Sequence, residues 1–247
     1  MLKTYKLEGF NIFEYKELNS TNTKAESLDF SYVKDRDVIL TWKQTAGRGQ
    51  TTNKWESDDN KNISLTLILK PDNLEAVNQF VVSMVISLGV VRFLQRYVEN
   101  VKIKWPNDIY VGDKKICGIL IEHAIAGSTI AYSLCGIGIN INQKEFFSNA
   151  LNPISLFQIL NRELDLQQVL GELLTDINVY YYDIAKYSTI KEEFLEKLYR
   201  KDGVWQWCDT NGIFEAQIVG IDDFGQLILE DILKKQRIYA FKELKYL

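Results

Sequence analysis

Histidine is nearly absent from this chain: His123 is the one imidazole in 247 residues. No Ser-His-Asp hydrolase can be assembled convincingly around it, and it is read as a structural or surface residue. Cysteine is scarce too. Cys117, Cys135 and Cys208 are odd in number, widely spaced and mostly set in apolar runs, which excludes a disulfide framework and a Cys-x-x-Cys metal pair. They read as plain buried or half-buried thiols of a reducing compartment, and the expected location is cytoplasmic. There is no basic excess: 29 Lys and Arg stand against 33 Asp and Glu, a net charge of −4. That balance argues against a general nucleic-acid binder, although a local basic patch stays compatible with it. The opening MLKTYKLEGFNIF has no apolar signal-peptide core. The most apolar stretch, Phe80 to Leu94, is too short to span a membrane and is interrupted by Arg92. Leu74, Val77, Val81, Met84, Val85, Leu88 and Val91 instead trace one face of an amphipathic helix.

What is present is an ordinary soluble composition, long enough for one large core or for one core with a small appended domain. A first strand is predicted over Asn11–Leu18. Ser20-Thr21-Asn22-Thr23 then supplies capping residues, with Glu26 three after Thr23 as in a capping box. Val38–Trp42 and Ile63–Leu69 read as strands, and a long helix follows over Asn73–Glu99. A hairpin comes next, then a strand over Ile130–Asn142. Helices are predicted from Ser155, Asp165 and Thr189, the first two with Ser-x-x-Gln and Asp-x-x-Gln starts. From about Lys201 the pattern changes to short strands broken at Asn211-Gly212 and Phe224-Gly225. The expectation is an α+β protein, a mixed or antiparallel sheet flanked by helices over residues 1–200, with a small separate β domain over 201–247.

Three stretches ask for more than a fold. The first is the hairpin KWPNDIYVGDKKICGILIE, Lys104 to Glu122. Gly112-Asp113 suits a type II′ turn, which pairs Val111 with Lys114 and Tyr110 with Lys115. Alternation then puts Lys115 on one face with Tyr110 and Asp108, while Ile109 and Ile116 meet on the other. A surface ion pair would satisfy that pattern by itself. Trp105-Pro106-Asn107 adds a break in the ladder and a fixed amide donor and acceptor beside the pair, which suits an anionic small molecule. The second stretch is GIGININ, where Ile137, Ile139 and Ile141 face one way and Gly136, Gly138, Asn140 and Asn142 the other. Glycines inside a strand serve tight packing of a helix on the sheet or close approach of a ligand. The third is the loop QTAGRGQTTNKW from Gln44 to Trp55. It reads either as a mobile connection or as an anion clamp built from backbone N–H groups and the Arg48 guanidinium. It lacks the ending of a Walker A loop.

Taken together, Ser20-Thr21-Asn22, the Gln-x-x-Gly-Arg-Gly of Gln44 to Gly49, Lys104 to Asp108, the Lys-x-x-Gly of Lys115 to Gly118 and the Gly-x-Gly-Ile-Asn of Gly136 to Asn140 resemble the motifs of biotin–protein ligases. They stand in that family's order and spacing, and the resemblance covers essentially the whole chain. It implies a class II synthetase-like catalytic domain with a small SH3-like β domain after it. It also implies a two-step reaction: biotin and ATP give biotinoyl-AMP and pyrophosphate, and a lysine of a biotin carboxyl carrier protein domain then takes the acyl group. By the same resemblance Ser20, Thr21, Asn22 and Gln44 hold the biotin head group, with Gly49, Gln50 and Gly118 on the biotin side. Arg48 and Lys115 are the catalytic cations, which orient the carboxylate and stabilise the phosphate. Lys104, Asn107, Asp108 and Asn140 line the nucleotide side with Trp55 against the adenine. Mg2+ accompanies ATP, with Asp108 its candidate ligand. Neither DNA nor a membrane is an expected partner. A helix-turn-helix repressor module, present in some members, is not expected, since the first catalytic strand starts near residue 11; a homodimer is compatible with all of this.

One departure stands out. The family loop continues with a second arginine, whereas this chain has Gln50-Thr51-Thr52-Asn53 after Gly49. The expected consequence is weaker electrostatic retention of the acyl-adenylate, with Lys54 as partial compensation. Two other functions fit the scaffold: a lipoate–protein ligase, and a non-catalytic binding or regulatory protein. Ser-Thr-Asn and Lys-Trp-Pro-Asn-Asp favour biotin over lipoate, because polar groups at the closed end suit a ureido ring better than a dithiolane. Intact Arg48 and Lys115 favour catalysis.

Overall fold

The computed structural model describes residues 2–50, 53–147 and 152–247. In chain order the elements are β1 (Leu2–Leu7), β2 (Phe10–Tyr15), α1 (Thr21–Glu26), β3 (Asp37–Thr41), β4 (Gly47–Arg48), β5 (Lys54–Trp55), β6 (Ile63–Leu69) and α2 (Phe80–Leu94). There follow β7 (Val101–Lys104), β8 (Asp108–Val111), β9 (Lys114–Ala126), β10 (Thr129–Ile139), α3 (Leu156–Leu160), α4 (Leu166–Tyr182) and α5 (Tyr187–Glu196). The last strands are β11 (Trp205–Asp209), β12 (Gly212–Ile221), β13 (Leu227–Asp231), β14 (Gln236–Tyr239) and β15 (Lys245–Tyr246).

Eight strands form one sheet in the order β1-β2-β3-β6-β10-β9-β8-β7, and five form a second, β14-β13-β12-β11-β15. The β2–β3 pair is parallel and the others are antiparallel, so the large sheet is mixed, as expected. Helix α1 lies on one face, where Ala25 packs with Ile39, Ile68 and Leu134. The opposite face carries α2, against which α4 and α5 pack. Gly89 makes the α2–α4 approach close, since a Cβ there would meet Ile177 Cα at 2.6 Å.

Several elements differ from the sequence-based expectation, each for a physical reason. The first strand is β2, shorter than predicted, and a further strand, β1, pairs outside it; β1 is mostly exposed and so lacks the apolar alternation that marks a half-buried strand. The predicted long helix is a 3₁₀ turn, Ala76–Asn78, followed by α2, and the chain reaches the new strand β7 at Val101. Helix α2 is not amphipathic in place. Every residue but Ser83 and Arg92 is buried, because the sheet, α4 and α5 enclose it. Ala76–Leu94 has the length and hydropathy of a membrane span, yet 72% of that window is buried inside the fold. Helix α1 is capped by Ser20, whose Oγ accepts Thr23 N at 3.4 Å, so Thr23 is not the cap and Glu26 is left for another partner. The caps at Ser155 and Asp165 fall where the sequence put them, the former with both halves of its capping box formed. The C-terminal strands form their own sheet, but their buried side chains, Trp207, Ile218, Leu227 and Leu229 among them, belong to one core continuous with that of α2 and the large sheet.

Candidate functional site

The hairpin is one arm of a three-stranded meander. Trp105-Pro106-Asn107 is the turn between β7 and β8, with Lys104 opposite Asp108, so the ladder breaks at Pro106 as expected and β8 begins just after it. Gly112 takes the left-handed φ of +57° that its turn requires, and Val111–Lys114 and Tyr110–Lys115 pair as expected. Beyond them the register shifts. Ile109 pairs with Cys117 instead of Ile116, and Asp108 with Gly118. The bulge leaves Ile116 and Cys117 both buried while Lys115 and Asp108 remain on the same face, with Nζ to Oδ1 at 2.7 Å. The 152–154 segment runs beside Lys115 and fixes its backbone: Lys115 N donates to Asn152 O at 2.8 Å, and Ile154 N donates to Lys115 O at 2.9 Å.

Next to this ion pair, a cavity of about 150 Å³ opens between the loop, the N-terminus of α1 and the middle of β9 and β10. Ser20, Thr21, Asn22, Gln44, Arg48, Gly49, Gln50, Trp55, Asn107, Asp108, Lys115 and Gly118 all line it. Gly136 and Gly138 form its floor. A Cβ at Gly136 would overlap Asn22 Oδ1, and one at Gly138 would overlap the Trp55 indole. Gly136 thus admits Asn22 of α1, which is the helix-on-sheet packing that glycines in a strand allow, while Gly138 admits Trp55 from the loop. Trp55 lies over Gly118 and Gly138, with Lys115 Nζ 5.9 Å from its ring centre; its own buried Nε1 has no partner among the described residues.

The loop is ordered by its own short hairpin. Gly47 and Arg48 pair with Trp55 and Lys54, and Gly49 N donates to Asn53 O at 2.8 Å. Thr51 and Thr52 lie outside the described residues. Gln50 Nε2 donates to Asn107 Oδ1 at 3.2 Å, joining the loop to the β7–β8 turn, and the other end of the Asn107 amide donates to Ile119 O. At the far end, Gln44 Oε1 accepts Thr21 N at 3.0 Å and Thr21 Oγ1 at 3.4 Å, which leaves its Nε2 on the side of Gly47.

Four residues sit differently from the expectation. Asn140 does not line the cavity. It is buried beneath the bulge, where Nδ2 donates to Ile154 O at 3.1 Å and its backbone N to Ile116 O at 3.0 Å. Its part is to hold the 152–154 segment against Lys115. Lys104 is not in the cavity lining either: opposite Asp108, it sends its Nζ to Tyr110 Oη at 3.2 Å, 4.8 Å from the ring centres of both Tyr110 and Tyr246, and burial lowers its pKa. Asn22 lines the cavity but has little hydrogen-bonding capacity to spare, because Nδ2 reaches Glu122 Oε2 at 2.9 Å and Oδ1 accepts Thr66 Oγ1 at 2.6 Å. Arg48 is not a free cation. Its Nη1 donates to Glu26 Oε1 at 2.6 Å and Thr23 Oγ1 at 3.2 Å, and its Nη2 to Glu122 Oε1 at 2.8 Å. The Glu26 hydrogen bond, with the charge of Glu122 behind it, holds the guanidinium above its ordinary pKa against partial desolvation. Sequence reasoning missed both glutamates. For Glu122 the available signal was a carboxylate two residues after Leu120 on the strand face that also carries Gly118.

Comparison with known proteins places the chain in a family. The profile of the Biotin/lipoate A/B protein ligase family matches residues 15–140. The bifunctional ligase/repressor BirA of Bacillus subtilis (strain 168) is 30% identical over 246 residues, spanning 97% of this chain and 75% of BirA. The biotin–[acetyl-CoA-carboxylase] ligase of Paracoccus denitrificans is 26% identical over 235 residues, 89% of this chain and 95% of the relative. Among solved structures, the biotin protein ligase from Aquifex aeolicus in complex with biotin and ATP aligns with a TM-score of 0.78 at 23% identity, over 96% of this chain and 99% of that one. That likeness establishes the fold. With the profile centred on the strands that build the cavity, and a relative aligned along nearly the whole length, the chain belongs to the biotin/lipoate A/B protein ligase family.

Proposed function

We propose that the cavity activates the carboxylate of biotin with ATP and passes the acyl group to a lysine of a carrier-protein domain. The observation that carries this reading is the Lys115–Asp108 pair at 2.7 Å, set at one end of a glycine-floored cavity whose other end is polar. An ammonium held there meets the carboxylate and the α-phosphate as negative charge gathers on them during adenylation. Asp108 keeps that ammonium in place until the nucleotide arrives. At the far end, Thr21 and Gln44 answer the ureido ring, whereas a dithiolane offers them no hydrogen bond. That favours biotin over lipoate within the family.

Metal chemistry belongs to the substrate in this reading. The Asp108 carboxylate is occupied by Lys115, and the described residues contain no cluster of three or more His, Cys, Asp or Glu side chains that could hold an ion. The donor set does not fit a resident Mg2+ site at Asp108, and the ion enters with the phosphates of MgATP. The Trp55 indole, which lies over the Gly118–Gly138 floor, is the aromatic side chain placed to stack on the purine. The test is to mix the protein with biotin, MgATP and a carrier domain and to weigh the carrier. A gain of one biotinoyl group is expected; no gain, with no pyrophosphate released by folded protein, would leave a binding protein in place of a ligase.

A further inference from the structure

Glu122 does not line the cavity, yet both of its oxygens are committed to residues that do. Oε2 accepts Asn22 Nδ2 from α1, and Oε1 accepts Arg48 Nη2 from the loop. Asn22 is 3% exposed and is held from the other side by Thr66 Oγ1, so its amide has one satisfied orientation, with Oδ1 pressed where Gly136 leaves room. Only an acceptor with two oxygens serves both donors. A glutamine here would offer one oxygen and turn its own N–H groups toward the amide or the guanidinium.

We propose that Glu122 is a positioning residue of this pocket. It sets Asn22 against Gly136 at the head-group end and, through Arg48, latches strand β4 to β9. Arg48 then acts as a bolt between α1 and β9, with Glu26 as its second seat, and Lys115 is left as the cation that meets the reacting atoms. The inference rests on the ligase reading for its ligand, but its geometry stands apart from that reading.

The test compares the unsubstituted protein with Glu122→Gln and Glu26→Gln, in biotin-dependent exchange of pyrophosphate into ATP and in tryptic cleavage of the loop after Arg48 and Lys54. Glu122→Gln is expected to raise KM for biotin about tenfold, with kcat and KM for ATP held within about twofold. Loop cleavage should quicken at an unchanged Tm. Glu26→Gln loosens Arg48 but leaves Asn22 in place, so it should quicken cleavage and raise KM for biotin by less than Glu122→Gln does. An unchanged KM for biotin in Glu122→Gln, or an equal rise for biotin and ATP with a lowered Tm, would overturn the positioning role. If the unsubstituted protein performs no exchange, the ligase reading fails, and unchanged loop cleavage in Glu122→Gln would then overturn the latch by itself.

Discussion

Lys115 reaches Asp108 even though one extra residue in β9 shifts the register just after it. If that ammonium stabilises the charge of adenylation, Lys115→Ala should lower kcat for pyrophosphate exchange by about 100-fold or more, with folding intact. A variant that keeps full adenylation would refute the role. Gln50, which joins the loop to Asn107, stands where relatives are expected to carry a cation. Gln50→Arg should slow escape of the acyl-adenylate, read by chasing a labelled intermediate with unlabelled biotin; an identical escape rate would remove that explanation. Both residues were legible because turn chemistry and loop motifs are local. The partners of Arg48 were not, since Glu26 and Glu122 stand 22 and 74 residues from it. A guanidinium in a glycine loop looks free in one dimension, and only the fold shows which carboxylates claim it.

At the scale of elements, caps were the most readable feature. Ser155 was legible as a cap from Gln158, three residues on, and the structure adds a second bond, from its Oγ to Gln143 O at 2.5 Å. Ser155→Ala should therefore cost about 1–2 kcal/mol, seen as a fall in Tm of roughly 2–8 °C. The 152–154 segment that braces Lys115 runs directly into this cap, so the variant should also weaken exchange activity, whereas a purely local loss would leave activity untouched. The misreadings share one cause. β1 is an exposed edge strand, and β7 is four residues at the other edge, so neither carries a long apolar pattern. The Thr23–Glu26 box was a true pattern with a competitor: Ser20 caps first, and Glu26 goes to Arg48.

For the whole molecule, the layered α+β architecture was legible from strand and helix periods, but strand order and the sharing of one core were not. They depend on pairings such as β6 with β10, which no local pattern encodes. One global property follows from the single imidazole. His123, on β9, lies against Ser133 Oγ at 2.8 Å, and burial lowers its pKa. The folded protein thus prefers it neutral while the unfolded chain protonates it near the ordinary value of about 6.5. The unfolded state binds more protons below that value, so this part of the stability is complete above about pH 6.5 and is lost as pH falls through the lower folded pKa. Tm should decline on acidification from neutrality, and His123→Gln should flatten the decline below about pH 6.5. Titration of the lone ring resonance by NMR gives the folded pKa directly; a value at or above the ordinary one would reverse the sign.

The joining of the two sheets into one core has a consequence for the order in which the protein is made. Trp105 Nε1 donates to Gly225 O at 2.9 Å, Phe80 packs where Gly225 has no side chain, and the rings of both lie near Phe241. Strand β15 closes the second sheet only when residues 245 and 246 pair with β11. A nascent chain that has completed the large sheet still shows the ribosome's surroundings a bare patch centred on Trp105 and Phe80. Folding of this region during synthesis is therefore complete only once residues 245 and 246 have emerged and paired with β11.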